Sequence, residues 1–262
     1  MMLNVLFIGD IVGSGGRDAV NALVRPIMEE YGCSFCIANG ENMAGGNGFT
    51  ASCIKELASS GVNVFTGGDH TWDQKDFQTE IEKLDNVLRP ANVSALQPGR
   101  GYGVFSTREG IEIGVISLLG RTFMNNLANC PYEAAERIVS EIRQRTPFIV
   151  IDFHAEASSD KIAMGRMLDG RVSAVLGTHT HVPTADEQIF PCGTAFQCDV
   201  GMVGARESIL GREIESIVGR YRTGMPTRFP VVNEGIRLNA TLLALDEHGC
   251  ATSIQRIVRD FN

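Results

Sequence analysis

Residues 177–181 read Gly177-Thr178-His179-Thr180-His181 and directly follow the apolar run 172–176. In an extended strand, side chains at positions i and i+2 point to the same side. If this stretch is extended, both imidazoles reach one metal cluster. We take this stretch as the point around which the fold and the site are organised.

The other histidines are few and placed in a similar way. The chain has five histidines, and four of them follow or nearly follow an apolar run. Besides the pair at 179 and 181, these are His70, which ends the string GGDH, and His154, which ends IDFH. The fifth, His248, lies in the string EHG, and we predict a solvated turn residue there. This distribution favours a metal-dependent enzyme.

Length, composition and charge narrow the class of protein. The 262 residues suffice for one large α/β domain, and we expect a single domain over 1–262. The net charge of −8 argues against a partner that is a long nucleic acid or a membrane surface. It leaves room for a small phosphorylated substrate, because metal ions can supply local positive charge.

Targeting signals and cysteines give further expectations. No apolar run approaches the roughly 18 residues of a membrane-spanning helix, and the N-terminus lacks the basic region of a secretory signal. We therefore expect a cytoplasmic protein. Cys33 and Cys36 form a lone C-x-x-C without a second ligand pair, which indicates buried reduced thiols rather than a zinc site.

The hydrophobic pattern predicts a mixed α/β fold. Apolar runs predict strands at 3–8, 35–38, 62–65, 102–106, 111–118, 148–153, 172–176, 195–200, 238–245 and 252–258. Amphipathic segments predict helices at 17–31, 51–59 (capped by Thr50), 75–84, 131–145, 159–168 and 208–221. Residues 102–118 and 238–258 are expected to form hairpins, and 223–230 an exposed excursion. The combination favours two packed sheets with helices outside.

Polar side chains collect after successive predicted strands, where ligand sites form in open α/β sheets. They are Asp10, Glu41, Asn42, Asp69, His70, His154, His179 and His181. Three carboxylates, one amide and four imidazoles exceed the needs of one ion and suit two ions about 3.5–4 Å apart. Mixed nitrogen and oxygen ligands favour Mn, Fe or Zn over Mg.

Single residues leave other interpretations open. Asp10 could cap the following helix, Glu41 and Asn42 could be turn residues, and His154 could be a core histidine. The glycines after the first strand superficially suggest a dinucleotide-binding turn, but their spacing does not fit G-x-G-x-x-G.

Three further residues are weaker candidates for substrate contact. Arg121 could contact phosphate or simply lie at the surface. Trp72 and Phe49 could stack on a base or pack in the core. Cys198 and Asp199 are given no role.

The motifs resemble those of a known family. The short motifs GD ending at Asp10, GEN, GDH, His154 and GTHTH resemble the ordered motifs of calcineurin-like metallophosphoesterases. The strings GDIVG, NGEN, HTWD, DFHAEA, DGRVSAVLGTHTHVPTADE and DVGM are similar to the YmdB-like subfamily over residues 3–203. The resemblance implies a four-layer α/β/β/α sandwich, a dinuclear centre with Fe or Mn (Zn as an alternative), self-association, and phosphodiesterase activity that includes 2′,3′-cyclic nucleotides.

The resemblance also implies roles for the candidate residues. One ion would be surrounded by Asp10, Glu41, Asn42 and His181. The other would be held by Asp69, His154 and His179, with Glu41 bridging. His70 would face the substrate and assist the leaving group while a metal-activated hydroxide attacks phosphorus.

Two positions depart from the wider superfamily. Its first motif is Asp-x-His, but Val12 stands at the histidine position, and Asn42 could compensate. Its Gly-Asn-His motif has Asp69 in place of the asparagine. Three carboxylates and a hydroxide then neutralise two divalent ions, whereas asparagine would leave one positive charge. We hypothesise tighter metal binding and a preference for monoanionic diesters over dianionic monoesters.

Two alternative functions remain at this stage. One is a phosphomonoesterase or nucleotidase on the same centre. The other is a regulatory protein that binds a nucleotide or a protein partner and uses its metal site structurally. The non-ligand histidine His70 argues for an enzyme, since a structural site would not need it.

Overall fold

The computed structural model describes residues 2–125 and 127–262. The expected single domain 1–262 includes Met1 and Asn126, which lie outside the described residues. Alternation along the first strand shows how the layers form. In β1 (Leu3–Ile8), Val5 and Phe7 face a second sheet, while Leu6 and Ile8 face the helices on the other side.

The first sheet contains eight strands among the described residues. They are β1, β2 (Asp10–Ile11), β3 (Phe35–Asn39), β4 (Val64–Thr66), β5 (Val87–Leu88), β12 (Met202–Ala205), β13 (Ile236–Leu245) and β14 (Ala251–Phe261). Their order is β2-β12-β13-β1-β3-β4-β5, with β14 paired to β13. Strands β1, β3, β4 and β5 are parallel, and β13 runs antiparallel to β1.

The second sheet contains six strands of the described chain. They are β6 (Tyr102–Ser106), β7 (Glu112–Leu119), β8 (Ile149–His154), β9 (Ala174–Thr178), β10 (Gln188–Ile189) and β11 (Ala195–Gln197). Their order is β10-β11-β9-β8-β7-β6, with β7, β8, β9 and β11 parallel. Both expected hairpins are confirmed, as β6–β7 and β13–β14.

Helices cover the outer faces of both sheets. The helices are α1 (Gly13–Glu30), α2 (Ala51–Ser59), α3 (Phe77–Glu80), α4 (Pro131–Ile142), α5 (Ser158–Met167) and α6 (Ile214–Thr223). One apolar cluster joins α1 and α2 to the first sheet, a second joins α4 and α5 to the second sheet, and a third fills the space between the sheets. The predicted four-layer α/β/β/α sandwich is confirmed. None of the helices in the described chain is long and apolar enough to cross a membrane.

The expected helix at 208–221 is wrong in its first part. Ile209 pairs with Arg212 across a tight turn, in which Leu210 and Gly211 have φ angles of 53° and 86°. Left-handed backbone cannot continue a right-handed helix, so α6 begins only at Ile214. We call residues 209–212 the tight hairpin.

Other expected elements agree in part. The Thr50 hydroxyl accepts a hydrogen bond from the Cys53 amide, which confirms the predicted cap of α2. The helix expected at 75–84 is a single α turn, α3, followed by the 3₁₀ turn Ile81–Lys83. Helix α1 begins at Gly13, four residues before its expected start at 17. The short strands β2, β5, β10 and β12 have too few residues to show an alternating pattern.

Gly177, near the end of β9, lies very close to the backbone at Cys198. This close approach leads to a prediction about stability. A Cβ at Gly177 would overlap the Cys198 carbonyl oxygen and lie 2.8 Å from Cδ of Lys161. We expect Gly177→Ala to lower the free energy of unfolding by about 1–3 kcal/mol, because neither neighbour can move freely. Urea denaturation measures this change.

Gly219 provides the matched control. It lies in α6, and a Cβ there would meet no atom within 4 Å. Gly219→Ala should leave stability unchanged or raise it by up to about 1 kcal/mol, because alanine favours helix more than glycine does. Equal effects of the two substitutions would contradict the close approach at Gly177.

Candidate metal centre

Four side chains from four strand ends meet at one edge of the sandwich. Ligand atoms of Glu41, Asp69, His154 and His179 all lie within 4.8 Å of one another. Glu41 follows β3 and Asp69 follows β4, while His154 ends β8 and His179 directly follows β9. These are carboxyl ends of parallel strands, two from each sheet. The edge therefore gathers groups that are far apart in sequence.

His154 is at the centre of this group. Its Nε2 lies 2.9 Å from Oδ1 of Asp69, 3.1 Å from Oε1 of Glu41 and 3.0 Å from Nδ1 of His179. Its Nδ1 lies 2.9 Å from Oγ1 of Thr178. The Thr178 hydroxyl donates to the Asp152 carboxylate at 2.6 Å, so it can only accept from His154. Nδ1 of His154 therefore carries a hydrogen, and the Nε2 lone pair is directed at the carboxylates.

The imidazoles of His179 and His181 are also oriented by a hydrogen bond from one ring nitrogen. Nε2 of His179 lies 3.1 Å from the Glu156 carboxylate, and Nδ1 of His181 lies 3.3 Å from the Leu210 carbonyl oxygen. Each of these nitrogens donates its hydrogen there. The opposite nitrogen of each ring is left with a lone pair facing the cluster. Metal-binding histidines show this arrangement, because a hydrogen bond on one nitrogen fixes the tautomer that leaves the other free.

Asp10 adds a buried carboxylate to the group. Its Oδ2 accepts from the His179 amide at 3.2 Å, while its Oδ1 is buried without a hydrogen-bond partner in the described structure. This Oδ1 lies 3.9 Å from Nε2 of His181. Burial raises the pKa of Asp10 well above its usual value, because the charged form has lost water. Asp10 does not cap α1, whose N-cap residue is Val12.

Asn42 completes a second set of donors around His181. The Asn42 amide donates to the Gly46 carbonyl at 3.4 Å, which directs its Oδ1 toward Nε2 of His181 at 3.2 Å. Burial lowers the pKa of His181 to about 4, so this imidazole is neutral at neutral pH. The neutral form is the one that binds a metal ion.

The charges at this edge attract positive charge, either as protons or as a metal ion. Burial disfavours protonated His154, but Glu41, Asp69 and Asp10 outweigh burial and raise its pKa well above the usual value. Burial would raise the pKa of Asp69, yet hydrogen bonds and charge from His154 and His179 lower it. Lone pairs and negative charges face one another at hydrogen-bonding distance, and either protons or metal ions neutralise them. The mixed nitrogen and oxygen donors fit a divalent transition metal.

The paired histidines do not lie on an extended strand, so that part of the prediction is wrong. Strand β9 ends at Thr178, and His179 and His181 have φ angles of 100° and 65°. Left-handed backbone is uncommon for non-glycine residues and needs support from its surroundings. Both imidazoles nevertheless lie beside the carboxylates, because a turn rather than a strand directs them there.

That support comes from residues to which sequence reasoning gave no role. The Asp199 carboxylate accepts from the Thr180 amide at 3.0 Å, from the Gly201 amide at 2.8 Å and from Nζ of Lys161 at 2.7 Å. Lys161 and Asp199 are both buried. A buried ion pair between two elements thus fixes the turn that carries the histidines. Lys161 gave no signal in the sequence.

Asp152 was also missed, although it had a signal. It is a carboxylate inside the apolar strand β8, and it is fully buried. It accepts from Asn39 at 2.9 Å and from the hydroxyls of Thr66 and Thr178. Through Thr178 it sets the tautomer of His154. A charged residue in an otherwise apolar buried strand was the indication of such a role.

His70 borders the four-residue group: its amide donates to the Glu41 carboxylate at 3.2 Å, and its Nε2 lies 3.9 Å from Oδ2 of Asp69. Its side chain is 38% exposed, and its Nδ1 lies 2.8 Å from the Asp73 carboxylate. It lines a cleft of about 350 Å³ together with Glu41, His179 and His181. His70 therefore faces the space where a small molecule would lie beside the cluster.

The weaker candidates lie elsewhere. Phe49 and Trp72 both pack against Phe77, with ring centroids 5.0 Å and 6.2 Å from it, so their roles are in packing. Arg121 lines a separate cavity with Tyr132 and Asp160.

The remaining expectations concern the cysteines and the closing hairpin. All cysteines are free, with Cys36 buried and Cys33 half-buried. Burial raises the pKa of Cys33 to about 11, which keeps its thiol protonated. His248 is exposed in the turn between β13 and β14, as predicted.

The sandwich and this edge together define the class. Two packed sheets that bring carboxylates and imidazoles from four parallel strand ends to one edge have the architecture of a metallophosphoesterase. The family model for YmdB-like proteins matches residues 6–257. The chain belongs to the YmdB-like protein family.

Individual relatives agree with this assignment. The chain is 44% identical to a 2′,3′-cyclic-nucleotide 2′-phosphodiesterase of Bacillus subtilis (strain 168), over 98% of this chain and 97% of the relative. A crystal structure of a hypothetical protein from Thermus thermophilus superposes with a TM-score of 0.91 at 37% identity, covering 98% and 99% of the two chains. A novel phosphatase from Mycoplasma pneumoniae superposes with a TM-score of 0.92 at 29% identity, covering 99% and 94%.

The unpartnered oxygen of Asp10 gives a prediction about metal binding. Asp10→Asn removes one of three clustered negative charges while keeping the size of the side chain. We expect the metal-free protein to melt at a higher temperature and to bind Mn²⁺ at least about tenfold more weakly, a loss of about 1.4 kcal/mol. Differential scanning calorimetry and isothermal titration calorimetry measure these two changes.

Asp18→Asn is the matched control, because Asp18 is exposed on α1 and undergoes the same change of charge. It should leave the affinity for Mn²⁺ unchanged. Wild-type affinity in Asp10→Asn would show that Asp10 does not face a bound ion.

Proposed function

We propose that the protein is a metal-dependent phosphodiesterase that hydrolyses small phosphodiesters, 2′,3′-cyclic nucleotides among them. The observation that carries the proposal is the set of imidazole lone pairs directed at clustered carboxylates beside a cleft. The Bacillus subtilis relative, named as a 2′,3′-cyclic-nucleotide 2′-phosphodiesterase, supports the choice of substrate class.

The donors divide into two groups that would hold two divalent ions, Fe or Mn, with Zn as an alternative. One ion would be held by Asp10, Asn42 and His181, and the other by Asp69, His154 and His179. Glu41 would serve both. Bound ions would polarise the phosphoryl oxygens, lower the pKa of water and neutralise developing negative charge. The chain's contribution is to fix these donors in place and to present His70 to the substrate.

His70 is suited to protonate the leaving oxygen. Burial lowers its pKa, but the charges of Glu41 and Asp69 and the hydrogen bond to Asp73 outweigh burial and raise it. The raised pKa favours the protonated form, which can donate. Asp73 accepts from Nδ1, so Nε2 is the nitrogen that carries the transferable proton.

A phosphomonoesterase on the same centre is the second candidate. It is favoured by the Mycoplasma pneumoniae structure, which is described as a phosphatase. The three carboxylates favour the diesterase instead, because they neutralise the attraction that a dianionic monoester needs. A purely regulatory role leaves the exposed His70–Asp73 pair without a function. A cytoplasmic location and self-association stay predictions.

Removal of His70 tests the enzymatic role directly. With Mn²⁺ added, His70→Ala should lower kcat for 2′,3′-cAMP by about 10²–10⁴-fold, the usual contribution of a general acid, while Mn²⁺ binding stays at the wild-type level. Steady-state kinetics and calorimetry measure the two quantities.

His248→Ala is the control, since His248 is an exposed turn histidine. It should behave as wild type. If His70→Ala retained kcat within about threefold of wild type, His70 would not be the general acid. If the wild-type enzyme with Mn²⁺ or Fe²⁺ showed no turnover, the regulatory alternative would be favoured.

The charge of Asp69 should set the preference between diesters and monoesters. Asp69→Asn should weaken Mn²⁺ binding and raise the ratio of kcat/KM for p-nitrophenyl phosphate to that for bis-p-nitrophenyl phosphate. Asp76→Asn, an exposed carboxylate in the same region, is the control for the change of charge. An unchanged ratio together with unchanged metal affinity would refute the hypothesis.

A further inference from the structure

The cleft beside the candidate metal centre has two chemically different parts. The polar part consists of side chains at or near the strand ends, joined by the guanidinium of Arg212: Glu41, Asn42, His70, Glu156, His179, Thr180 and His181. The other part is largely apolar and comes from a single segment, the tight hairpin and α6. Its apolar and aromatic members are Ile209, Leu210, Ile217 and Tyr221, which we call the apolar wall. A polar centre next to an apolar surface is typical of a site for an amphipathic small molecule.

Tyr221 is the notable member of the apolar wall. It lies in α6, lines the cleft and is 84% exposed. A large aromatic ring that packs against little of its own protein gains little from folding, because its apolar faces stay in water. Tyr221 is therefore a largely exposed aromatic side chain at the border of the cleft.

The apolar wall is tied to the candidate metal centre. The Leu210 carbonyl accepts from Nδ1 of His181, and Leu210 itself lines the cleft. Nη2 of Arg212 donates to the Gly46 carbonyl at 2.8 Å and to the Asn47 side chain. The Leu210 bond joins the hairpin to His181 in the polar part, and the Arg212 bonds join it to the loop that follows Asn42. These contacts fix the hairpin part of the apolar wall relative to His181, and α6 begins two residues after the hairpin.

We propose that the apolar wall is a nucleobase subsite in which Tyr221 stacks on the base of a nucleotide whose phosphate lies at the polar part. This inference rests on the proposed function and adds how the substrate is recognised. Every base has an apolar face, so stacking accepts all four bases. The subsite thus favours nucleotides over phosphodiesters without a base and discriminates little among adenine, guanine, cytosine and uracil.

The test compares two cyclic phosphodiesters that share the reacting ring but differ in the base. These are 2′,3′-cAMP and glycerol 1,2-cyclic phosphate, assayed with Mn²⁺. Tyr221→Ala should raise KM for 2′,3′-cAMP about tenfold with little change in kcat, because stacking holds ground state and transition state alike. The kcat/KM for glycerol 1,2-cyclic phosphate should change less than about twofold, and Tyr221→Phe should restore the KM for 2′,3′-cAMP.

Val218→Ala is the matched control. Val218 is an apolar residue of α6 that is 40% exposed, and it is not among the residues that line the cleft. It should leave both substrates unaffected. A normal KM for 2′,3′-cAMP in Tyr221→Ala would overturn the proposal. Equal losses on both substrates would overturn it too. The same holds if size-exclusion chromatography shows that Tyr221→Ala has dissociated an oligomer and both activities fall together.

A binding measurement separates the subsite from the proposed function. The dissociation constants of adenosine 3′-monophosphate and of inorganic phosphate require no turnover. Tyr221→Ala should weaken the nucleotide about tenfold and leave phosphate unchanged. If the wild-type protein hydrolyses neither cyclic diester, the proposed function fails, and this comparison still decides the subsite. Equal affinities of wild type and Tyr221→Ala for the nucleotide would reject it.

Discussion

The electrostatic constraint at the edge of the sandwich is the feature on which the structure depends. The carboxylates of Asp10, Glu41 and Asp69 lie close together, two of them with almost no access to water. The lone pair of His154 Nε2 is directed at the same point. Such a cluster is unfavourable without positive charge, because low-dielectric surroundings strengthen repulsion. The surrounding residues keep the carboxylates and imidazoles directed at one point. Divalent ions bound there would attract the carboxylates that otherwise repel one another.

The supporting contacts follow one rule. In each imidazole of the cluster, the N–H that faces away from the carboxylates donates a hydrogen bond. The acceptors are the Thr178 hydroxyl, the Glu156 carboxylate and the Leu210 carbonyl. Two of these acceptors are fixed in turn, Thr178 by Asp152 and Leu210 by the tight hairpin. The buried Lys161–Asp199 pair holds the left-handed turn between the histidines. The same hairpin also supplies part of the apolar wall of the cleft, so the positioning of His181 and the shape of the cleft depend on one element.

Much of the fold was predictable because it depends on patterns local to the chain. Alternating apolar runs and amphipathic helices indicated two sheets with helices outside, and polar residues after strands indicated the edge. What could not be predicted depends on contacts between distant segments. The turn at His179 and His181 is left-handed because Asp199 binds it, and the 208–213 segment leaves the helix because of Leu210 and Gly211. Lys161 looks like any helical lysine until α5 packs on β9. Motif resemblance indicated the donors, but the acceptors behind them required the structure.

The most direct measurement is a crystal structure of the Mn²⁺-loaded protein with anomalous differences recorded at the manganese edge. The expected result is two peaks about 3.5–4 Å apart. One should lie among Asp10, Asn42 and His181, the other among Asp69, His154 and His179, with Glu41 between them. A single peak, or peaks away from these side chains at saturating Mn²⁺, would contradict a dinuclear centre at this edge of the sandwich.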